Sequence, residues 1–195
     1  MARLENKRPK HLPPPRPKGD FDIICCEITL RAVSFVRLHC NAGERTVSFV
    51  AQTYKSNKSY MYENKPHGEI LSEYFDALMP MIDSKDVKVA VCRRLTNKFT
   101  WQMFANWKVY AMAEMALWIT HKIDLCEMTV KDSRRILTGD EQCSDSMLYT
   151  ALHKNMKLPQ FKRGEQLSAF SIGAAWLVQN DFIDWKIPAK KEATT

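Results

Sequence analysis

The stretch Val87–Gly139, VKVAVCRRLTNKFTWQMFANWKVYAMAEMALWITHKIDLCEMTVKDSRRILTG, restricts the fold more than any other part of the chain. Val87–Cys92 is an apolar run of strand length, and a basic loop with Arg93, Arg94 and Lys98 follows it. From about Thr100 to Lys122, the residues Trp101, Phe104, Trp107, Ala111, Met115 and Trp118 recur at three- and four-residue steps. That spacing predicts a long helix carrying them on one face, expected to be core. Ile123–Met128 is a second apolar strand, and a short helix bearing Arg134 and Arg135 comes next. A strand, a crossover of this length and another strand form a βαβ unit, which needs a mostly parallel sheet around it.

A chain of 195 residues, 45% of them hydrophobic, suffices for one good core and predicts one domain. Its expected bounds are 20–185, between a basic Pro-rich arm (1–19) and a basic tail (186–195). No run of eighteen apolar residues is present, so no membrane span is expected. Met1–Lys18 lacks the apolar core of a secretory signal. Cys25, Cys26, Cys40, Cys92, Cys126 and Cys143 fall mostly in apolar, strand-like stretches, where a thiol behaves as a small hydrophobe. The expectation is an intracellular, reducing compartment: cytoplasm, nucleoid, organelle matrix, or a host cell for a viral protein. There is no CxxC, and adjacent Cys25 and Cys26 would point to opposite faces of a strand, which argues against structural zinc.

The net charge of +7 sits at the ends. Residues 1–19 set Arg3, Lys7, Arg8, Lys10, Arg16 and Lys18 against Glu5, which gives +5. Residues 186–195 set Lys186, Lys190 and Lys191 against Glu192, which gives +2, so 20–185 is about neutral. A basic arm can neutralise phosphates whatever the fold does. KRPKHLPPPRPK holds too many prolines for a helix and is expected to be extended and mobile. It serves either as a solubilising or targeting tail, or as an arm on nucleic acid, on an assembly surface or on a protein partner.

Within the folded part, Phe21–Leu30 is apolar except at Glu27, Arg31–Cys40 alternates, Asn41–Gly43 is a turn signal and Arg45–Tyr54 alternates again. Three antiparallel strands follow from this pattern. Ser56–His67 reads as a loop. Gly68–Ile82 shows a helical stripe of Ile70, Leu71, Tyr74, Phe75, Leu78 and Met79. After the βαβ unit, Ser144 or Asp145 caps a short helix with Met147, Leu148, Ala151 and Leu152 inward. Lys162–Asn180 forms a last helix whose Ala169, Ser171, Gly173, Ala174 and Ala175 permit close approach to the sheet. Order is expected to fade beyond Asp184.

This element order is that of the ribonuclease H-like fold: a five-stranded mixed α/β sheet, antiparallel meander then βαβ, flanked by helices. Over Asp22–Val178 the chain resembles the RuvC family of Holliday-junction resolvases. ICCEITLRAVSF resembles that family's first strand, acid, turn, Arg and second strand, and Val87–Leu95 resembles the strand ending in a catalytic Glu. The Asn97–Ile119 helix resembles the long helix after it. VKDSRRILTG resembles a basic Val-Lys-x-x-x-x-Gly segment, and EQLSA (Glu165–Ala169) resembles a D-x-x-D-A helix start.

The resemblance implies cleavage of branched DNA by two Mg²⁺ ions held by four carboxylates. The positions matching those acids are Glu27, Cys92, Glu165 and Ser168. Glu27 and Glu165 keep the charge on a longer arm, and a misplacement of about 1 Å can cost roughly 10²-fold in rate. Cys92 is a soft thiol that Mg²⁺ does not favour, and Ser168 has no charge. If a metal binds, Glu27 and Glu165 are its ligands; otherwise no cofactor is expected. Among other acids, Asp22 is an alternative first-strand carboxylate but sits at the strand's start, away from the carboxyl ends where sites collect. Asp20, Glu114, Asp124 and Glu127 are weaker substitutes. The plainer reading makes Glu27 a buried acid paired with Arg31 or Lys131, and Glu165 a charge on a helix start.

Cys92 with His121 or His153 has no spacing that supports a nucleophile and base. Trp101, Trp107, Trp118, Trp176 and Trp185 are expected in the core rather than stacked on bases. Tyr54, Tyr60 and Tyr62 alternate with Lys55, Lys58 and Lys65 on a loop suited to a nucleic-acid or protein surface. Arg93, Arg94, Lys98, Lys131, Arg134, Arg135, Lys162 and Arg163 are expected to rim one sheet edge as a phosphate groove, joined by Arg8 and Arg16 of the arm. The function expected is therefore a RuvC-like protein with an eroded metal site, binding branched DNA or acting as a scaffold, with a homodimer through the long helix implied by the resemblance. The alternatives are an active Mg²⁺-dependent junction endonuclease and a structural subunit of a larger viral or organellar assembly.

Overall fold

The computed structural model describes residues 16–28, 32–56, 67–94, 101–158, 161 and 164–187, without the side chains of 56, 67 and 101–105. Five strands are described: β1 (Phe21–Ile28), β2 (Ala32–Asn41), β3 (Thr46–Ser56), β4 (Val87–Arg93) and β5 (Leu125–Met128). They lie in the order β3-β2-β1-β4-β5. The meander β1–β2–β3 is antiparallel, whereas β4 and β5 join β1 in parallel. This is the mixed ribonuclease H-like sheet expected from the element order.

Helices α1 (His67–Ile82) and α2 (Trp101–His121) cover one face, and α3 (Val130–Thr138), α4 (Asp145–Asn155) and α5 (Gly164–Gln179) cover the other. β1 is central and buried along its whole length. Alternation along it sends Phe21, Ile23 and Cys25 into the α3–α5 layer, and Ile24, Cys26 and Ile28 into the α1–α2 layer. α5 lies directly on β1: a Cβ at Gly173 would overlap Cys25 Sγ, so only glycine admits that approach. The helix ends are chemically marked. Thr129 caps α3 by accepting from the Asp132 amide, and Gly139 closes it at φ 75°, where a side chain is disfavoured. Ser144 caps α4 through the Met147 amide.

Several expectations need correction. On α2 the core face is Val109, Tyr110, Met112, Ala113, Ala116 and Leu117. Trp107 borders that core, but Ala111, Met115 and Trp118 point outward, and the side chains of Trp101 and Phe104 lie outside the described residues. Apolar residues encircle this helix, so their period identifies the helix without identifying its buried side. β5 begins at Leu125 rather than Ile123, because Lys122 at φ 58° ends α2 and the chain needs two residues to turn into the sheet. Tyr54 and Lys55 belong to β3, not to a loop, while Tyr60, Tyr62, Lys58 and Lys65 lie outside the described residues. Met147 is exposed.

Order continues past Asp184, since the Trp185 indole Nε1 donates to the Leu137 carbonyl at 2.9 Å. At the other end, Arg16 donates to the Asp181 carbonyl and lies 4.9 Å from the centre of the Phe182 ring. The arm as expected at 1–19 is therefore anchored at its last residues. All six cysteines are free thiols, five of them buried. Among the described residues no helix is long and apolar enough to cross a membrane.

Candidate functional site

The carboxyl ends of β1 and β4 come together where their parallel ladder reaches the pair Cys26↔Cys92. One residue further, Glu27 and Arg93 stand side by side, and Arg93 Nη1 donates to Glu27 Oε1 at 2.5 Å. On the other side of β1, Ser34 is the antiparallel partner of Glu27, and Tyr54 that of Ser34. A row Tyr54–Ser34–Glu27–Arg93 thus crosses the sheet. It is covered by the start of α5, from which Ser168 Oγ donates to Glu27 Oε2 at 2.7 Å. Glu165, one turn earlier and in the first turn of α5, adds a second negative charge close enough to be felt by Glu27.

The electrostatics follow from burial. Glu27 is 1% exposed while Arg93 is 41% exposed, so the acid is desolvated and its cation reaches it from the rim. Burial pushes the Glu27 carboxyl above its ordinary range. Arg93's charge and hydrogen bond, with the Ser168 hydroxyl, pull it back, and Glu165 pushes it up again. Ser34 Oγ is buried and finds no hydrogen-bond partner among the described residues.

Of the four positions predicted to converge, three do: Glu27, Glu165 and Ser168. Cys92 does not. It packs in the α1–α2 layer with Cys26, and burial raises both thiols, Cys26 to about 12. The β4 residue sharing the face of Glu27 is Arg93, foreseen only as a groove cation. Glu27 pairs with Arg93, not with Lys131, which lies 3.6 Å from Glu141, while Arg31 lies outside the described residues. From Val89 to Cys92 both faces of β4 are apolar, so nothing in the alternation near its carboxyl end separates Cys92 from Arg93. The signal available was the parallel register itself, which sets residue 93 beside residue 27.

This donor set does not fit a divalent cation. Both oxygens of Glu27 are engaged by donors, and a guanidinium already stands against one of them. Among the described residues no three His, Cys, Asp or Glu side chains gather as an ion would need. Asp22, the alternative acid, is buried at the opposite end of β1 against His39 Nδ1 (2.8 Å) and the Ser84 hydroxyl (3.2 Å), with Arg37 at 3.7 Å. Neither candidate histidine partners Cys92: His121 Nε2 sits 2.6 Å from the Ile82 carbonyl, and His153 lies beside Tyr149.

Of the described members of the predicted groove, Arg93, Arg94, Lys131, Arg134 and Arg135 lie beside acids, whereas Arg16 donates to the Asp181 carbonyl and lies over the Phe182 ring. Arg94 lies 3.7 Å from Glu127, Arg134 2.5 Å from Asp145 and Arg135 2.6 Å from Asp132. Such exposed pairs are weak and exchangeable, but among the described residues they leave little net charge on this rim. Lys98, Lys162, Arg163 and Arg8 lie outside the described residues.

No family model matches the chain, and no curated protein matches it in sequence. Solved structures do match in shape. RuvC of Thermus thermophilus superposes with a TM-score of 0.68 at 6% identity, covering 85% of this chain and 100% of that one. The same protein in complex with a Holliday junction gives 0.66 at 7% identity, covering 82% and 94%. The yeast mitochondrial Holliday-junction resolvase Ydc2 gives 0.55 at 13% identity, covering 82% and 80%. At such identities the likeness establishes the fold: this chain has the ribonuclease H-like architecture of the RuvC resolvases.

Proposed function

We propose that this protein binds branched DNA on a RuvC-type scaffold without cutting it. The observation that carries this reading is the pairing of Glu27: its carboxylate, at the head of the central strand, is closed off by Arg93 and Ser168 instead of standing open among other acids. Branched DNA is chosen as the ligand because a similarly shaped structure holds a Holliday junction. The charge for phosphates is assigned mainly to the arm, since the described rim cations are compensated by acids.

In a binding assay, a labelled four-way junction is expected to be retained at low salt and to stay intact with Mg²⁺ or Mn²⁺. Deleting residues 1–15, which removes Arg3, Lys7, Arg8 and Lys10, is expected to flatten the salt dependence by about 3 in the log–log slope. Arg94→Ala should change it by less than about 1. Cutting that Glu27→Gln abolishes would defeat the proposal in favour of the endonuclease. Absence of junction binding at low salt would favour the structural-subunit reading.

A second copy of the chain is the partner that α2 supports. Met115, Trp118 and Ile119 are 56%, 50% and 64% exposed and, with Ala111, form one stripe that also carries Glu114 and Lys122. Antiparallel pairing about a twofold axis would bury the apolar residues and set Glu114 against the opposite Lys122. Sedimentation equilibrium is expected to give twice the chain mass, and Trp118→Glu to halve it with the circular dichroism unchanged. A monomeric parent would remove the dimer.

A further inference from the structure

We infer that the Arg93 guanidinium is the resident cation of this site, taking the place on the sheet that a divalent ion needs. The inference rests on the non-catalytic reading above and names what keeps the site closed. Its basis is positional. Arg93 enters from the strand neighbouring Glu27, at the residue in register with it, and its Nη1 contacts the carboxylate oxygen turned toward β4. A metal bridging these strands would have to sit between the same two side chains.

The surroundings suit a single fixed positive charge. Glu27 and Glu165 supply two negative charges, and the first turn of α5 contributes the positive end of its dipole. One guanidinium with that dipole offsets them, whereas a divalent ion beside Arg93 would meet like charge at contact distance. Ser168 completes the exclusion, since its hydroxyl donates to Oε2 and thereby occupies the other carboxylate oxygen. An ordinary surface ion pair would leave both partners wet. Here the acid is buried, so the cation is a requirement of the fold and not an ornament of its surface.

The exchange should be reversible by substitution. Arg93→Glu combined with Ser168→Asp would surround the same point with four carboxylates, the two introduced ones and those of Glu27 and Glu165, a hard all-oxygen set. Mn²⁺ is the probe, read by the loss of its free-ion electron paramagnetic resonance signal and by the melting temperature. The parent protein is expected to take up no Mn²⁺ at this site. The double variant is expected to bind at least about tenfold more tightly than the parent, because ligand charge count sets such affinities, and to melt higher with the ion than without it. Should the double variant fail to fold even with Mn²⁺, Arg93→Gln alone removes the charge with a shorter neutral side chain that withdraws from Glu27, and must gain affinity in the same direction.

Parent binding as tight as that of the variants would overturn the inference, and so would folded variants with no gain. Junction binding is not used in this test. Loss of junction binding therefore counts against the proposed DNA-binding role and leaves Arg93 untouched, whereas a parent Mn²⁺ site counts against Arg93 and the closed site and leaves junction binding untouched.

Discussion

Arg93→Ala is expected to lower the unfolding free energy by about 2–3 kcal/mol, read by urea denaturation, whereas Glu27→Gln with Arg93→Ala should recover most of that loss. Removing one partner of a buried pair strands the other charge, which typically costs about 3–5 kcal/mol. The lower figure applies because Arg93 is partly exposed and water can enter the space it leaves. The effect should depend on pH with a definite sign. Burial already raises the Glu27 carboxyl, and losing Arg93 raises it further. A folded-state acid held above its unfolded value is penalised once pH exceeds the unfolded value, so the variant's deficit should shrink as pH falls into the ordinary carboxylate range. A double variant no more stable than Arg93→Ala would show that the pair is not the source of the loss.

Gly173→Ala is expected to destabilise by about 1–3 kcal/mol even though alanine is the better helix former. The propensity gain is about 1 kcal/mol, but the new methyl would run into Cys25 Sγ, an overlap that no unshifted packing tolerates. The clash wins because Cys25 belongs to the central strand and α5 is buried along most of its length, so neither can retreat cheaply. Cys25→Ala should relieve it in the double variant, the next contact being the Cys25 Cβ at 3.3 Å. Equal melting temperatures for Gly173→Ala and the parent would place α5 further from the sheet.

These two sites mark how far the sequence could be read. Strand and helix order were legible because β2 and β3 alternate with period 2, β1 and β4 are apolar runs of strand length and the helices repeat every three to four residues, and the small residues of α5 announced close approach. The acids at 27 and 165 and the hydroxyl at 168 were legible only through the resemblance to the RuvC family's strand and helix motifs. Arg93 was not, because the end of β4 that precedes it is apolar on both faces and its facing is fixed only by pairing with β1. The outward stripe of α2 was hidden for a related reason: an all-round apolar helix has no polar side to declare which side is out. The anchoring contacts of Arg16 with Phe182 and of Trp185 with Leu137 were not legible, because these partners are distant in sequence and no local pattern records such contacts.

The partners of Glu27 lie 66 and 141 residues away along the chain. During synthesis this acid leaves the ribosome well before either arrives, and the three-stranded meander can be made while its first strand still carries an unanswered carboxyl group. In that interval water solvates the carboxylate, and it is desolvated only as the arginine and then the serine dock. The order in which the chain is made thus gives the site a history: first an acid, then an ion pair, and last a capped one.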